Sequence, residues 1–272
     1  MKHEQKTFIK MSEGKKEILL GDCLELMKDI PNESIDMILC DLPYGTTSIG
    51  WDCVLDMFEL WNEYNRIIKA NGAIVLFAAQ PFTSKLILSN IENYKYSWVW
   101  DKKSATGGQF ARKQPMRRTE DICVFYKKQC TYNPQLEDKD KKYIRYIKKD
   151  YENNSKHISK SFSTNANTRT IPENKKYPSN IISISSGSHK NKIHETQKPV
   201  PLFEYLIKTY TNEGDLVLDN TAGSGTTAIA CLNTNRQFIV MEKEKKYYDI
   251  ILNRVGDFNK NFEHKTLFGN EM

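Results

Sequence analysis

The run Ile35-Asp36-Met37-Ile38-Leu39-Cys40-Asp41-Leu42-Pro43-Tyr44 decides how this chain is read. A short apolar segment ends in a carboxylate, a leucine, a proline and an aromatic, with Gly45 directly behind. Such a run, bounded by turn signals, reads as a buried strand. In an open α/β sheet, ligands bind at the carboxyl ends of the strands. A carboxylate there accepts hydrogen bonds from an amino group, proline holds the loop shape, and tyrosine stacks on a flat ring. Asp41, Leu42, Pro43 and Tyr44 are therefore the candidate reaction site. The alternative is a strand followed by a turn with a structural tyrosine, and the rest of the chain must decide.

Working outward, the pattern alternates strands with helices. Glu17–Leu20 is a short strand ended by Gly21-Asp22, and residues 23–30 have helical spacing closed by Pro31. Apolar residues at 57, 58, 60, 61, 64, 67 and 68 predict a helix from Met57 to Ala70, with Asn71-Gly72 as its stop. Ala73–Ala79 is an unbroken apolar run and reads as a central parallel strand. Pro81 is placed to open the next helix at its first position. Tyr94–Trp100 and Asp121–Tyr126 are further strands. After a long polar stretch come a helix over 202–210, a strand over 215–218, a helix over 227–233, a strand over 237–241 and a helix over 246–258. No internal repeat is visible.

Composition narrows the class. The 272 residues carry a formal net charge of +6 and a pI near 8.8, consistent with a polyanionic partner. No apolar stretch is long enough to span a bilayer, and the polar leader, residues 1–16, has no apolar signal-peptide core. The six cysteines show no CxxC spacing and read as buried free thiols of a cytoplasmic protein, with no metal site. Residues 127–192 are rich in Lys, Asn, Ser and Tyr and poor in aliphatic clusters. A segment of that length without regular pattern reads as a functional insertion or a solvated loop. Basic residues interleaved with Tyr143 and Tyr146 favour a nucleic-acid surface, with Lys141, Lys142, Arg145, Lys148 and Lys149 as its phosphate contacts.

A second motif follows a strand and opens a helix. Asp219-Asn220-Thr221-Ala222-Gly223-Ser224-Gly225-Thr226-Thr227 has the glycines of a nucleotide-cradling turn. It does not fit G-x-G-x-x-G, because position 228 is Ala, and no Gly-Lys-Ser/Thr makes it a P-loop. The loop therefore suits an adenosine group without a pyrophosphate. Glu242, about 20 residues on at a strand end, suits a ribose diol. The alternative is an ordinary tight turn between strand and helix.

Together these motifs resemble the S-adenosylmethionine-dependent DNA amino-methyltransferases of the permuted class called β. Asp41 to Tyr44 resembles that family's catalytic motif, and Asp219 to Thr226 its cofactor loop. Thr196-Gln197-Lys198-Pro199 resembles the segment that caps the methionine end of the cofactor. The stretch holding Trp100, Lys102, Arg117, Arg118, Glu120 and Phe125 is similar to the family's, as is Tyr132-Asn133-Pro134-Gln135. The order, catalytic motif first and cofactor loop last, is the permuted one.

The resemblance implies a Rossmann-like α/β fold: a seven-stranded, mainly parallel sheet flanked by helices, with an inserted target-recognition region. Residues 1–126 form the catalytic half, 127–192 the insertion and 193–272 the cofactor half. Strand 215–218 is expected between 237–241 and 35–40, with 17–20 beyond 237–241. The cofactor is S-adenosylmethionine, held by Asp22, Gln197, Lys198, Pro199, Asp219, Thr221, Gly223, Gly225, Thr226 and Glu242. Asp22 is read equally as a contact to the adenine amino group and as a helix N-cap. The substrate is the N6 amino group of an adenine in double-stranded DNA, with N4 of cytosine as the alternative. Aspartate at position 41, where cytosine enzymes more often carry serine, favours adenine. A homodimer and a cognate restriction endonuclease are partners that the resemblance leaves open. Three departures stand out: Asn220-Thr221 where the family often has Pro-Phe, His194-Glu195 where it often has His-Pro, and Leu42 for a first proline.

Overall fold

The computed structural model describes residues 14–43, 55–139, 171–172, 174–186 and 197–268. Its chain divides into two compact units, Met1–Asn133 with Asn180–Met272, and Pro134–Ser179.

The first unit is built on one sheet. Its strands in chain order are β1 (Lys16–Leu20), β2 (Ile35–Asp41), β3 (Ile68–Ala78), β4 (Tyr94–Thr106), β5 (Arg117–Phe125), β8 (Ile181–Ser183), β9 (Leu216–Asp219) and β10 (Gln237–Glu242). The second unit contributes β6 (Glu137–Asp138) and β7 (Lys175–Lys176), a short antiparallel pair tied by Glu137–Lys176 and Asp138–Lys175 ion pairs. The helices are α1 (Cys23–Met27), α2 (Met57–Ile67), α3 (Phe82–Ser89), α4 (Val200–Tyr210), α5 (Thr226–Asn233) and α6 (Lys245–Phe268).

Spatial order in the large sheet is β1-β10-β9-β2-β3-β5-β4-β8. The pairings from β1 through β3 are parallel, and β5 runs antiparallel to both β3 and β4. All seven expected strands are present, and β9 lies between β10 and β2 with β1 beyond, as expected. The eighth, β8, pairs parallel with β4 inside the stretch that composition read as irregular. Three residues in a serine-rich setting are too few to show a period, and only pairing with β4 makes them a strand.

Alternation along β2 explains the two-sided core. Met37 and Leu39 join a cluster with Leu202, Phe203, Leu206, Ile207, Ala228 and Ile251, so α4, α5 and α6 cover that face. Ile38 and Cys40 join the other cluster, with Leu26, Leu60, Trp61, Tyr64 and Leu86 from α1, α2 and α3. A strand buried on both faces reads as one apolar run, each large side chain contributing roughly 1.5–3 kcal/mol.

The turn after α2 differs from the expectation. Asp56 caps the helix by accepting from the Phe58 and Glu59 amides, but the helix stops at Ile67 and Ile68 is already extended. Ile68 pairs with Ile35, residues 69–72 bulge out, and pairing resumes at Ala73 with Met37. Asn71-Gly72 is therefore no helix stop. Gly72 is needed because a Cβ there would stand 2.7 Å from the Ile68 side chain and 2.9 Å from the Asp36 carbonyl. Pro81 takes the cap position of α3 rather than its first turn.

Candidate active site

The parallel strands end on one edge, where Asp41, Asp219 and Glu242 close β2, β9 and β10. The turn after β9 is pinned from several sides. The Asp219 carboxylate accepts from the Thr221 amide at 3.0 Å and from the Thr227 hydroxyl. Burial pushes this carboxyl up to about 7, against the pull of those two hydrogen bonds. Its position is inside the loop, as the loop's own brace. Glu242 Oε2 accepts from the Gly223 amide at 2.8 Å and Oε1 from the Glu244 amide at 2.8 Å, and burial raises its carboxyl too.

Gly223 and Gly225 have φ of 52° and 77°, the left-handed region. A Cβ on Gly225 would stand 2.9 Å from Ile251, so α6 packs directly against the turn. A Cβ on Gly223 would meet nothing within 4 Å. The crest of the loop faces open space, which fits a ligand cradled by backbone. Asp22 caps α1 through the Leu24 amide at 3.0 Å and accepts from Lys243 at 3.1 Å. Burial alone would raise its carboxyl, but the Lys243 and amide hydrogen bonds outweigh that and hold it low.

Two threonines join the turn after β9 to its neighbours. Thr221 Oγ1 donates to the Asp41 carbonyl at 3.2 Å, and Thr226 Oγ1 donates to the Lys198 carbonyl at 3.3 Å. Gln197 and Lys198 lead into α4, whose cap is Pro199. The segments at Asp41, at Thr221–Thr226 and at Gln197-Lys198-Pro199 thus meet at one place.

The strongest polar feature is an ion-pair chain. Lys198 Nζ donates to Asp41 Oδ2 at 2.6 Å and stands 3.4 Å from Glu120 Oε2. Glu120 Oε1 accepts from Lys102 Nζ at 3.2 Å. Glu120 Oε2 is buried without a hydrogen bond. Burial alone would lower the Lys198 ammonium, but the Asp41 and Glu120 carboxylates outweigh it and raise it. Glu120 is the mirror case: burial raises it, and Lys198 and Lys102 overcome that. Lys102 and Glu120 carried no assigned role in the sequence, although both stand in a family-like stretch.

A second network lies beneath the site. Asn220 Oδ1 accepts from Tyr64 Oη at 2.6 Å and from Cys40 Sγ at 2.8 Å, while Asn220 Nδ2 donates to Cys23 Sγ at 3.4 Å. The Asn220 amide donates to Cys40 Sγ at 3.4 Å, a bond proline could not make. The Asn220 departure therefore has its own buried partners. Burial raises the Cys40 thiol well above its usual value, so it is a neutral core group. Leu42, where the family often has proline, is buried in the core. Cys23, Cys40, Cys123, Cys130 and Cys231 are all free and buried.

Tyr44, Thr196, His194, Glu195, Lys141, Lys142, Arg145, Lys148 and Lys149 lie outside the described residues. Among the described residues, no group of His, Cys, Asp and Glu could hold a metal, and no helix is long and apolar enough to cross a membrane.

The family model described as DNA methylase, N6_N4_Mtase, matches residues 35–253. Among curated proteins, Type II methyltransferase M.HpaI of Haemophilus parainfluenzae is 29% identical, over 89% of this chain and 75% of that one. DNA adenine methyltransferase YhdJ of Escherichia coli strain K12 is 30% identical, over 88% of this chain and 82% of that one. Among solved structures, the M1.HpyAVI–SAM complex superposes with a TM-score of 0.60 at 25% identity, covering 88% of this chain and 98% of that one. With the doubly covered sheet, these matches make the chain a DNA amino-methyltransferase that uses S-adenosylmethionine. More narrowly, this chain belongs to the N6/N4 DNA methylase family.

Proposed function

We propose that this protein methylates the N6 amino group of an adenine flipped out of double-stranded DNA at a specific site. The observation that carries this is Asp41, a carboxylate at the end of β2 whose own carbonyl is tied to the cofactor loop through Thr221. S-adenosylmethionine, when bound, supplies a methyl group activated by its sulfonium. Gly223, Gly225, Glu242, Asp22 and the Gln197-Lys198-Pro199 segment are the groups that hold it, with Asp219, Thr221 and Thr226 keeping the loop in shape.

The protein's task is positioning. Asp41 and the Leu42 carbonyl accept the two amino hydrogens, which turns the nitrogen lone pair towards the methyl. A base inside a duplex is out of reach and must be extruded, and Tyr44 stacks on it. Lys198 neutralises Asp41 before the base arrives, and Glu120 Oε2, 3.4 Å away, receives the ammonium afterwards.

Adenine is favoured over cytosine by the aspartate at position 41, and a relative of this chain is named for adenine methylation. The insertion, 127–192, reads the target site, with Lys141, Lys142, Arg145, Lys148 and Lys149 on phosphates. A cytoplasmic place, with a cognate restriction endonuclease as the partner to test for, goes with this reading, since the relative M.HpaI is named a Type II methyltransferase. Digestion of methylated DNA to nucleosides tests the base: N6-methyldeoxyadenosine is expected. N4-methyldeoxycytidine in its place assigns the cytosine reaction.

A further inference from the structure

Three turns carry residues that the proposed function uses: Asp22 follows β1, Asp41 closes β2 and Thr221 follows β9. Each has a neighbour in sequence that is buried instead, namely Cys23, Cys40 and Asn220. Those three meet beneath the site. Asn220 Oδ1 accepts from Cys40 Sγ at 2.8 Å, Nδ2 donates to Cys23 Sγ at 3.4 Å, and the Asn220 amide donates to Cys40 Sγ at 3.4 Å. Tyr64 of α2 is fully buried and donates its hydroxyl to the same Oδ1 at 2.6 Å. One carboxamide therefore ties the turn after β1 and the ends of β2 and β9 to a helix.

This hub lies in an otherwise apolar cluster with Leu26, Leu42, Leu60, Leu218 and Met241. Apolar side chains of the same shape can be as stable as a buried hydrogen-bonded set. What a fully satisfied polar set adds is a single arrangement of its members. Asparagine suits that task, because its two lone pairs and two donors lie on one rigid plane. Burial raises the Cys23 and Cys40 thiols and the Tyr64 hydroxyl, so each keeps its proton. Two of the departures in the motifs then belong together. Proline at position 42 would fix its own φ and restrict residue 41, and leucine does neither. Proline at position 220 could make none of the four hydrogen bonds to Cys23, Cys40 and Tyr64.

We propose that Tyr64 and Asn220 are positioning residues for methyl transfer: they fix where Asp41 stands against the turn that holds the cofactor. One peptide bond joins Cys40 to Asp41, and one joins Asn220 to Thr221, whose hydroxyl donates to the Asp41 carbonyl at 3.2 Å. A shift of the hub therefore moves the acceptor of the base relative to the methyl group. Transfer needs the reacting atoms within about 3–3.5 Å and in line, and a displacement of about 1 Å can cost about a hundredfold in rate. The restraint from beneath stands in for the one that proline at 42 would give. This role rests on the reading of Asp41 as the acceptor of the base and extends the machinery to the core under it.

The test uses the full chain, duplex plasmid DNA and S-adenosylmethionine. Tyr64→Phe keeps the ring against Trp61, 5.7 Å between centroids, and removes only the hydroxyl. Its single-turnover rate at saturating DNA and cofactor should fall about tenfold, while KM for DNA and cofactor affinity by calorimetry stay within about twofold. Asn220→Ala, which frees both Tyr64 and Cys40, should lose more; should it fail to fold, Tyr64→Phe decides alone. A wild-type rate in Tyr64→Phe, with only the urea midpoint lowered, makes the hub a feature of stability and overturns the proposal. Weakened cofactor binding with the saturated rate intact overturns it too, because the hub then serves the cofactor turn alone. If the wild-type chain binds cofactor yet methylates no DNA, the underlying reading fails, and the positioning role with it.

Discussion

Asp41 and Glu120 compete for one ammonium. Asp41→Ala is expected to abolish methyl transfer while cofactor affinity stays within a few-fold, because the proposed function assigns Asp41 to the base and the Gly223 loop to the cofactor. Near-normal turnover by this variant would remove Asp41 from the chemistry. Glu120→Gln leaves Lys198 with Asp41 as its sole anionic partner in the chain of ion pairs. The base must then displace a lysine with nowhere favourable to go. Its kcat/KM for DNA should fall roughly 10- to 100-fold, the equivalent of about 1.5–3 kcal/mol for an interaction with a charged group. Isothermal titration with the cofactor should show no change; a loss there instead would make Glu120 a cofactor residue.

Asp219 belongs to the same scale but acts on stability. Burial raises its carboxyl from 3.8 to about 7. A raised acid favours the protonated folded state, so its contribution is full below about 4, falls as pH rises to about 7, and is flat above that. Asn at 219 still accepts from the Thr221 amide through Oδ1, presents Nδ2 as a donor to the Thr227 hydroxyl oxygen, and has no proton to lose. Asp219→Asn should therefore gain on the wild type between pH 4 and 7, at about 1.4 kcal/mol per pH unit. Urea unfolding at pH 5 and pH 8 measures the difference, and a pH-independent gap between the two proteins refutes it.

At the scale of elements, the bulge between β2 and β3 sets the register that brings Asp41 opposite Phe77. Gly72 sits at its tightest point. Gly72→Ala places a methyl against the Asp36 carbonyl, which β2 holds in place, and should cost about 1–3 kcal/mol. The midpoint in urea should drop with an unchanged m-value; an unshifted midpoint would mean that the bulge adapts freely. Asn133 shows how an element is tied down. Its amide donates to the Thr209 carbonyl at 2.7 Å, and its side chain donates to the Lys208 and Thr211 carbonyls at 3.3 and 3.0 Å. The chain is thereby fastened to the end of α4 just before the second unit begins at Pro134. The Tyr132-Asn133 motif is an anchor for that exit.

For the whole molecule, the proposed function gives DNA contact to the insertion, 127–192. Lys148→Ala with Lys149→Ala should reduce the salt slope by about 1.8 and weaken all sequences alike. Single-molecule sequencing of DNA from cells expressing the variant should return the wild-type methylation motif. A changed motif with an unchanged slope would make these lysines readers of base edges.

The seven strands, their two buried faces and the permuted order of the motifs were legible in the sequence, because they rest on short-range signals. Apolar runs, glycine turns and Asp41-Leu42-Pro43-Tyr44 each lie within about ten neighbouring residues. The helix after Met57 was legible at its start, where Asp56 caps it, but not at its end. There, pairing of Ile68 with Ile35 overrode the helical spacing. The partners of the site residues were hidden for the same reason. Lys198 reaches Asp41 across 157 positions and Tyr64 reaches Asn220 across 156. No local pattern encodes such pairs. They exist because parallel pairing aligns the strand ends on one edge, where burial leaves each charge or amide only the partners that the register supplies.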